Sequence, residues 1–298
     1  MRTLEQLRFV NRYATLPETF FRRVRPSPEG EPQRVSFNPA AAELLDLDPA
    51  EAGRDDFARC FAGWRLPPGA EPIAAVYAGH QFGVYVPQLG DGRAILLGEV
   101  ENAAGGSWDV QLKGAGPTPY CRGFDGRAVL RSTIREYLCS EAMHGLGIPT
   151  TRALCIVGTN APVHRETVEP GAVLTRLAQS HVRFGTFEYF SHSGRHDDLA
   201  RLADFVIRHH YPALADQPPA QRYAGLFAEV VTRTAQLLAH WQAMGFAHGV
   251  MNTDNMSILG LTLDYGPYGF MDAFDIGFVP NHTDVQGRYA FDRQPHVA

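Results

Sequence analysis

The sequence predicts an α+β fold in two parts, an antiparallel-sheet half followed by a mainly helical half. Three observations predict it. Between residues 84 and 113, short apolar stretches alternate with Gly-containing turns, which is the period of strands. From Asp198 to Met244, apolar residues recur at spacings of three and four, as in helices that bury one face. With 298 residues, 45% hydrophobic and 20% charged, the chain can bury a sizeable core and is long enough for one large domain or two lobes.

Residues 1–70 are mixed in pattern and Pro-rich between Pro26 and Pro32, and they read as an N-terminal extension. Their one helix signal is Asn38-Pro39, an N-cap residue followed by a proline suited to the first helical position. Residues 84–89, the turn Gly90-Asp91-Gly92, residues 94–100, a second turn at Ala104 to Ser107, and residues 108–113 read as a three-strand meander. Lys113 then falls near the end of the third strand. A Gly/Pro-rich loop, 114–126, leads into a helix over 128–144 that carries Glu136 and stops at Gly145 and Gly147. Further helices are expected over 198–210 and 220–244, the second burying Leu226, Val230, Leu237 and Trp241 and ending at Gly245. A turn at Gly158-Thr-Asn-Ala-Pro162 suggests a boundary near 155–170, giving lobes over 71–165 and 166–298.

A formal net charge of −5 and a pI near 6.2 provide no global basic field, so neither nucleic acid nor an anionic membrane is an expected partner. Cys60, Cys121, Cys139 and Cys155 are widely spaced, without a C-x-x-C pair, and read as free, structural thiols of a reducing compartment. No apolar run suits a secretory signal or a membrane span, and the cytoplasm is the expected location. Twelve histidines include the pairs His192/His196 and His209/His210, but no third ligand stands at a zinc-site spacing.

The chemistry concentrates in His248-Gly-Val-Met-Asn-Thr-Asp-Asn255, with Asp264-Tyr-Gly266 beginning nine residues after Asn255. Kinase catalytic loops run H-x-D-x-x-x-x-N, in which the Asp accepts the substrate proton and the Asn binds a metal ion, and the Asp of a later D-x-G also holds the metal. Here Val250 stands at the Asp position and cannot accept a proton, whereas Asn255 and Asp264 remain. Asp254 is the replacement base this spacing suggests. Taken alone, Asn-Thr-Asp-Asn is also a turn sequence. The hairpin, lysine and glutamate order upstream is that of a kinase N-lobe, where the lysine contacts phosphates and pairs with the helix glutamate. Gly90, Gly92 and Arg93 can bring backbone N–H groups and a charge to phosphate, though any hairpin turns on Asp-Gly. Arg176 and Arg183 bracket a segment with few acidic neighbours and suit bidentate phosphate recognition, or are surface arginines. Asp125-Gly126 is similarly open.

Five segments together resemble the selenoprotein O family, also called YdiU: Tyr77-Ala-Gly-His-Gln-Phe-Gly, Gln88-Leu-Gly-Asp-Gly-Arg, Leu112-Lys-Gly-Ala-Gly, Asp125-Gly-Arg-Ala-Val-Leu-Arg-Ser-Thr-Ile-Arg-Glu, and His248-Gly-Val-Met-Asn-Thr-Asp-Asn-Met-Ser. The resemblance implies a protein-kinase-like two-lobe fold that binds ATP in a flipped orientation and transfers AMP to Ser, Thr or Tyr hydroxyls of protein substrates. It implies nucleotide contacts from Gly90, Gly92, Arg93, Lys113, Asp125, Gly126, Arg176, Arg183 and Asp264. It further implies Mg²⁺ or Mn²⁺ on Asn255 and Asp264, Asp254 as proton acceptor, and Glu136 as the partner of Lys113. UMP transfer from UTP, conventional phosphotransfer and a nucleotide-binding pseudoenzyme are the alternatives. Family members are longer, with a C-terminal extension carrying a redox-active Cys or selenocysteine, so an incomplete helical lobe is expected here.

Overall fold

The computed structural model describes Met1–Ala298. The strands are β1 (Phe21–Arg23), β2 (Gln33–Phe37), β3 (Ile73–Ala75), β4 (Gly79–Gln81), β5 (Val84–Val86), β6 (Ala94–Glu101), β7 (Ser107–Lys113), β8 (Ala128–Val129), β9 (Arg152–His164), β10 (Val168–Ala178), β11 (Phe246–Ala247) and β12 (Gly269–Phe270). The helices are α1 (Pro39–Glu43), α2 (Asp55–Phe61), α3 (Leu130–Gly145), α4 (Phe184–His192), α5 (His196–His210), α6 (Pro219–Ala243) and α7 (Gln294–Val297). The fold is therefore α+β, and no helix is long and apolar enough to cross a membrane.

The residues form two compact units. The first comprises Met1–Val76, Leu89–Gly145 and Thr151–His181, and the second Tyr77–Gln88, Leu146–Thr150 and Val182–Ala298. The first unit is built on an antiparallel sheet ordered β1-β3-β6-β7-β10-β9-β2, with β8 pairing β10. Strand alternation divides its side chains between two faces. Val110, Leu112, Val157, Val173 and Leu177 join Leu45, Leu47, Phe57 and Phe61 in one buried cluster. Each such side chain contributes about 1.5–3 kcal/mol by leaving water. Ala153, Ile156, Ala172 and Leu174 face the other way, where Leu130 and Tyr137 of α3 cover them.

The sequence reading differs from this arrangement in three places. Residues 84–86 pair with Gly79–Gln81 and not with the strand that follows, so the meander does not form. Phe82 and Gly83 both have positive φ, +50° and +81°, which suits a two-residue hairpin turn, and Ile73 of β3 sits opposite Leu96 of β6 instead. The stretch Gly158 to Pro162 is strand, since β9 continues to His164 and the chain reverses at Arg165, whose N–H bonds Thr167 at 2.9 Å. Pro162 lies opposite Pro170, so both prolines lack a donor at the same rung of the ladder. Finally, the first 70 residues contribute α1 and α2 to the sheet's main core, and residues 166–181 complete the same sheet through β10.

The second unit holds α4, α5 and α6, and α3 belongs to the first. The N-cap expected at Asn38 and the helices expected over 128–144, 198–210 and 220–244 are present within two residues of those bounds. Trp241, fully buried on α6, donates from Nε1 to Thr262 at 3.1 Å and stacks on His248, with ring centroids 5.4 Å apart.

Candidate active site

In the first unit, alternation along β7 places Gln111 and Lys113 on the side that α3 covers, and Arg176 lies opposite Gln111 in β10. Glu136 projects from α3 into this group. Its Oε2 accepts from Lys113 Nζ at 2.5 Å and its Oε1 from Arg176 Nη1 at 3.0 Å. Arg176 also donates to Gln111 Oε1. Glu136 is thus the shared anion of two cations, and the side chains of Arg176 and Glu136 are only 1% and 5% exposed. Lys113, at 19%, remains within reach of solvent.

The Gly-rich residues of this unit are set by close approach. A Cβ on Gly90, at φ +115°, would stand 2.5 Å from the Tyr120 ring, and one on Gly92 would stand 2.8 Å from the Tyr120 carbonyl oxygen. Gly126, at φ +66°, has no room at all, because a Cβ would lie 2.2 Å from the Gly116 carbonyl oxygen. Beside it, Asp125 accepts two bonds from Arg165 at 2.8 and 3.0 Å and one from the Arg127 N–H at 2.9 Å. The Arg165 guanidinium holds the Asp125 carboxyl below the usual carboxylate range. Arg93 is exposed.

In the second unit, a short 3₁₀ turn, Thr253–Asn255, carries the loop chemistry. His248 accepts at Nδ1 from the Val250 N–H at 3.4 Å, leaving Nε2 to donate to the Leu263 carbonyl at 2.9 Å, so the imidazole ties the two motif segments together as a neutral ring. Asp254 is buried, and its Oδ2 accepts from Gln81 Nε2 at 3.2 Å, while Oδ1 has no hydrogen-bond partner. Burial pushes its carboxyl above the usual range, against the opposing effects of Arg183 and Gln81. Arg183 is 2% exposed, donates to the Asp254 carbonyl at 2.6 Å and to Asp264 Oδ2, and lies over the Tyr77 ring at 4.9 Å. Asp264 occupies left-handed backbone at φ +57°, a conformation a short polar side chain tolerates better than most. Asn255 donates from Nδ2 to the Val250 carbonyl at 2.9 Å, which fixes the amide so that its oxygen is the end left for a ligand.

A divalent ion is a group that the Asn255 amide oxygen and the Asp264 carboxylate could hold, since both are hard oxygens. That donor set fits Mg²⁺ or Mn²⁺ and would not select zinc.

Sequence reasoning brought together Lys113 and Glu136 as a pair, and Asp254, Asn255 and Asp264 on neighbouring segments. It did not foresee that Arg176 and Arg183 are buried with carboxylates as partners. It also assigned no role to Gly79, Gln81 or Gly185, although Tyr77-Ala-Gly-His-Gln-Phe-Gly was visible as a motif. A Cβ on Gly79 would meet Asp254 Oδ1 at 2.5 Å, and one on Gly185 the Ala78 carbonyl at 2.1 Å.

Residues 3–298 match the family described as protein adenylyltransferase SelO, and the chain belongs to that family. Among curated relatives, a protein nucleotidyltransferase YdiU of Myxococcus xanthus is 65% identical over 297 residues, covering 100% of this chain and 60% of its own length. The proteins of that name from Thioalkalivibrio sulfidiphilus and Pseudomonas putida strain W619 are 61% and 55% identical, each over all of this chain and 60% and 61% of their own. The chain thus spans about 60% of the length of these relatives.

Proposed function

We propose that the protein is an adenylyltransferase that moves AMP from ATP to Ser, Thr or Tyr hydroxyls of proteins, on a protein-kinase-like two-lobe scaffold in the cytoplasm. The observation that carries this reading is the loop in which Val250, which cannot take a proton, stands where a kinase has its base, while Asp254, buried with one unbonded oxygen, can. In the proposed step the substrate hydroxyl oxygen forms a bond to the α-phosphorus and the bond from that phosphorus to the β-bridging oxygen breaks. Pyrophosphate leaves with the electron pair, and the hydroxyl proton passes to the Asp254 carboxylate. Burial raises the Asp254 carboxyl above the usual carboxylate range, the direction that makes it a stronger proton acceptor than an ordinary aspartate.

The family relationship and the relatives' names support the reading, as does the chemistry of both units. Lys113 and Arg176 bring cations, held in place by Glu136, to the proposed polyphosphate contacts, with Gly90, Gly92, Arg93, Asp125, Gly126 and Arg183 completing the nucleotide set. Asn255 and Asp264 are the residues that would hold Mg²⁺ or Mn²⁺, which when bound neutralises phosphate charge. The test is incubation of a protein substrate with ATP labelled in the α- or the γ-phosphate. Label reaching protein from the α-position alone is expected. Label from γ but not α would replace this reading with conventional phosphotransfer, and nucleotide-dependent stabilisation without transfer would leave a pseudoenzyme.

A further inference from the structure

We infer that Gly79 and Gln81 of the β4–β5 hairpin are positioning residues that hold the Asp254 carboxylate in one orientation. The inference rests on the reading of Asp254 as proton acceptor and assigns the machinery that aims it. Side chains alternate along β4, so Gly79 and Gln81 face one way and His80 the other. On the first side, the Gln81 amide donates to Asp254 Oδ2 at 3.2 Å, and the missing side chain of Gly79 is the space that Oδ1 occupies. On the opposite side, His80 Nδ1 bonds Glu188 Oε1 at 2.7 Å, and the other oxygen of Glu188 accepts from Thr253 Oγ1 at 2.5 Å. Thr253 Oγ1 in turn accepts from the His80 N–H at 2.8 Å.

The grip extends along the turn. The Phe82 N–H donates to Tyr289 Oη at 2.8 Å, and that hydroxyl bonds Asn252 Oδ1, so residues 252, 253 and 254 are each tied to the hairpin or to its partner. Behind Asp254, Gly185 at the start of α4 lets the chain pass with its would-be Cβ 3.3 Å from the Asp254 Cα, and its carbonyl accepts from the Ala78 N–H at 2.9 Å. Asp254 therefore stands in a slot walled by two glycines, with a single amide fixing one oxygen and leaving the other for a proton. Neither Gly79 nor Gln81 belongs to the proposed nucleotide or metal set. Their loss should change turnover and leave nucleotide affinity alone.

The experiment uses the full chain with Gly79→Ala, Gln81→Met and, as a control on the same hairpin, Val84→Ser, whose parent side chain is 67% exposed. Methionine keeps the length and packing of Gln81 and removes only its donor. An added Cβ at 2.5 Å from Oδ1 must turn the carboxylate away, so Gly79→Ala is expected to lower kcat for AMP transfer by about 10²-fold, and Gln81→Met by about 10-fold, with the KM for ATP unchanged. Val84→Ser is expected to retain full activity. Unchanged kcat in both variants, or a rise in KM equal to the fall in kcat, would overturn the inference. A second readout does not depend on the reaction. Hydrogen exchange at the Asp254 and Asn255 amides should quicken by at least about 10-fold in Gln81→Met while the thermal midpoint holds, because local opening is then easier than global unfolding. If the wild-type chain transfers no α-label, the functional reading fails by itself, and unaltered exchange at these two amides refutes the positioning role.

Discussion

Removing Glu136 should cost more stability than removing Lys113, although the two form one ion pair. Glu136→Ala removes the carboxylate that Lys113 and Arg176 share, and Arg176, 1% exposed, cannot regain water in its place without opening the sheet. Breaking a buried pair by deleting one partner costs about 3–5 kcal/mol, because the remaining charge stays desolvated. Lys113→Met leaves Glu136 bonded to Arg176 at 3.0 Å, so the loss is that of a charged hydrogen bond at a part-exposed lysine, about 1.5–3 kcal/mol. At about 2–4 °C per kcal/mol for a unit of this size, the first variant should melt roughly 6–20 °C below the wild type and the second roughly 3–12 °C below. Thermal denaturation followed by circular dichroism at neutral pH measures both. Double replacement of Glu136 and Arg176 by Gln and Met should recover part of the loss, since neither charge is then stranded. Equal melting shifts for the two single variants, or a Glu136→Ala shift within 2–3 °C of zero, would refute the shared-anion argument.

Two further outcomes are expected. Asp264→Ala should abolish metal-dependent ATP binding, whereas Asp254→Ala should keep most binding and lower transfer by about 10²–10⁴-fold, with calorimetric affinity and turnover measured separately for each; equal losses of affinity would make Asp254 a metal ligand. Glu99 and Asp109 face each other across β6 and β7, buried, with carboxyls raised above the usual range by burial and, for Glu99, by the Asp109 charge. A raised folded value means the folded state binds more protons, so stability is fully present at low pH and declines as pH rises through about 7 to 8. Glu99→Gln should flatten that decline in urea titrations, and an unchanged slope between pH 5 and 8 would contradict it.

Much of this was legible because local rules and global packing agree. Asn38 caps its helix, Gly145 ends α3, and the apolar period of α6 is the face that buries Leu226, Leu237 and Trp241. The loop motif was readable for a different reason, since its spacing alone puts Asp254 and Asn255 in one turn. What escaped was long-range. Short residues 84–86 have the pattern of any strand, and nothing local says that they pair backward across Phe82-Gly83 instead of forward across Asp91-Gly92. Arg176 looks like a surface cation until α3 brings Glu136 over it. Gly79 looks like any turn glycine until Asp254, far along the chain, fills the place of its side chain.

The hairpin that aims Asp254 is separated from it by 173 positions in sequence, as the Gln81 bond records, and the intervening chain includes most of the sheet of the other unit. At about 5–20 residues per second of synthesis, the hairpin is made roughly nine to thirty-five seconds before the turn it must grip. During that interval Gly79 and Gln81 face water, because Asp254 has not yet been made. The slot is consequently completed only after the strands of the sheet have been made. A nascent chain can therefore own a finished sheet while the slot around Asp254 is still unmade.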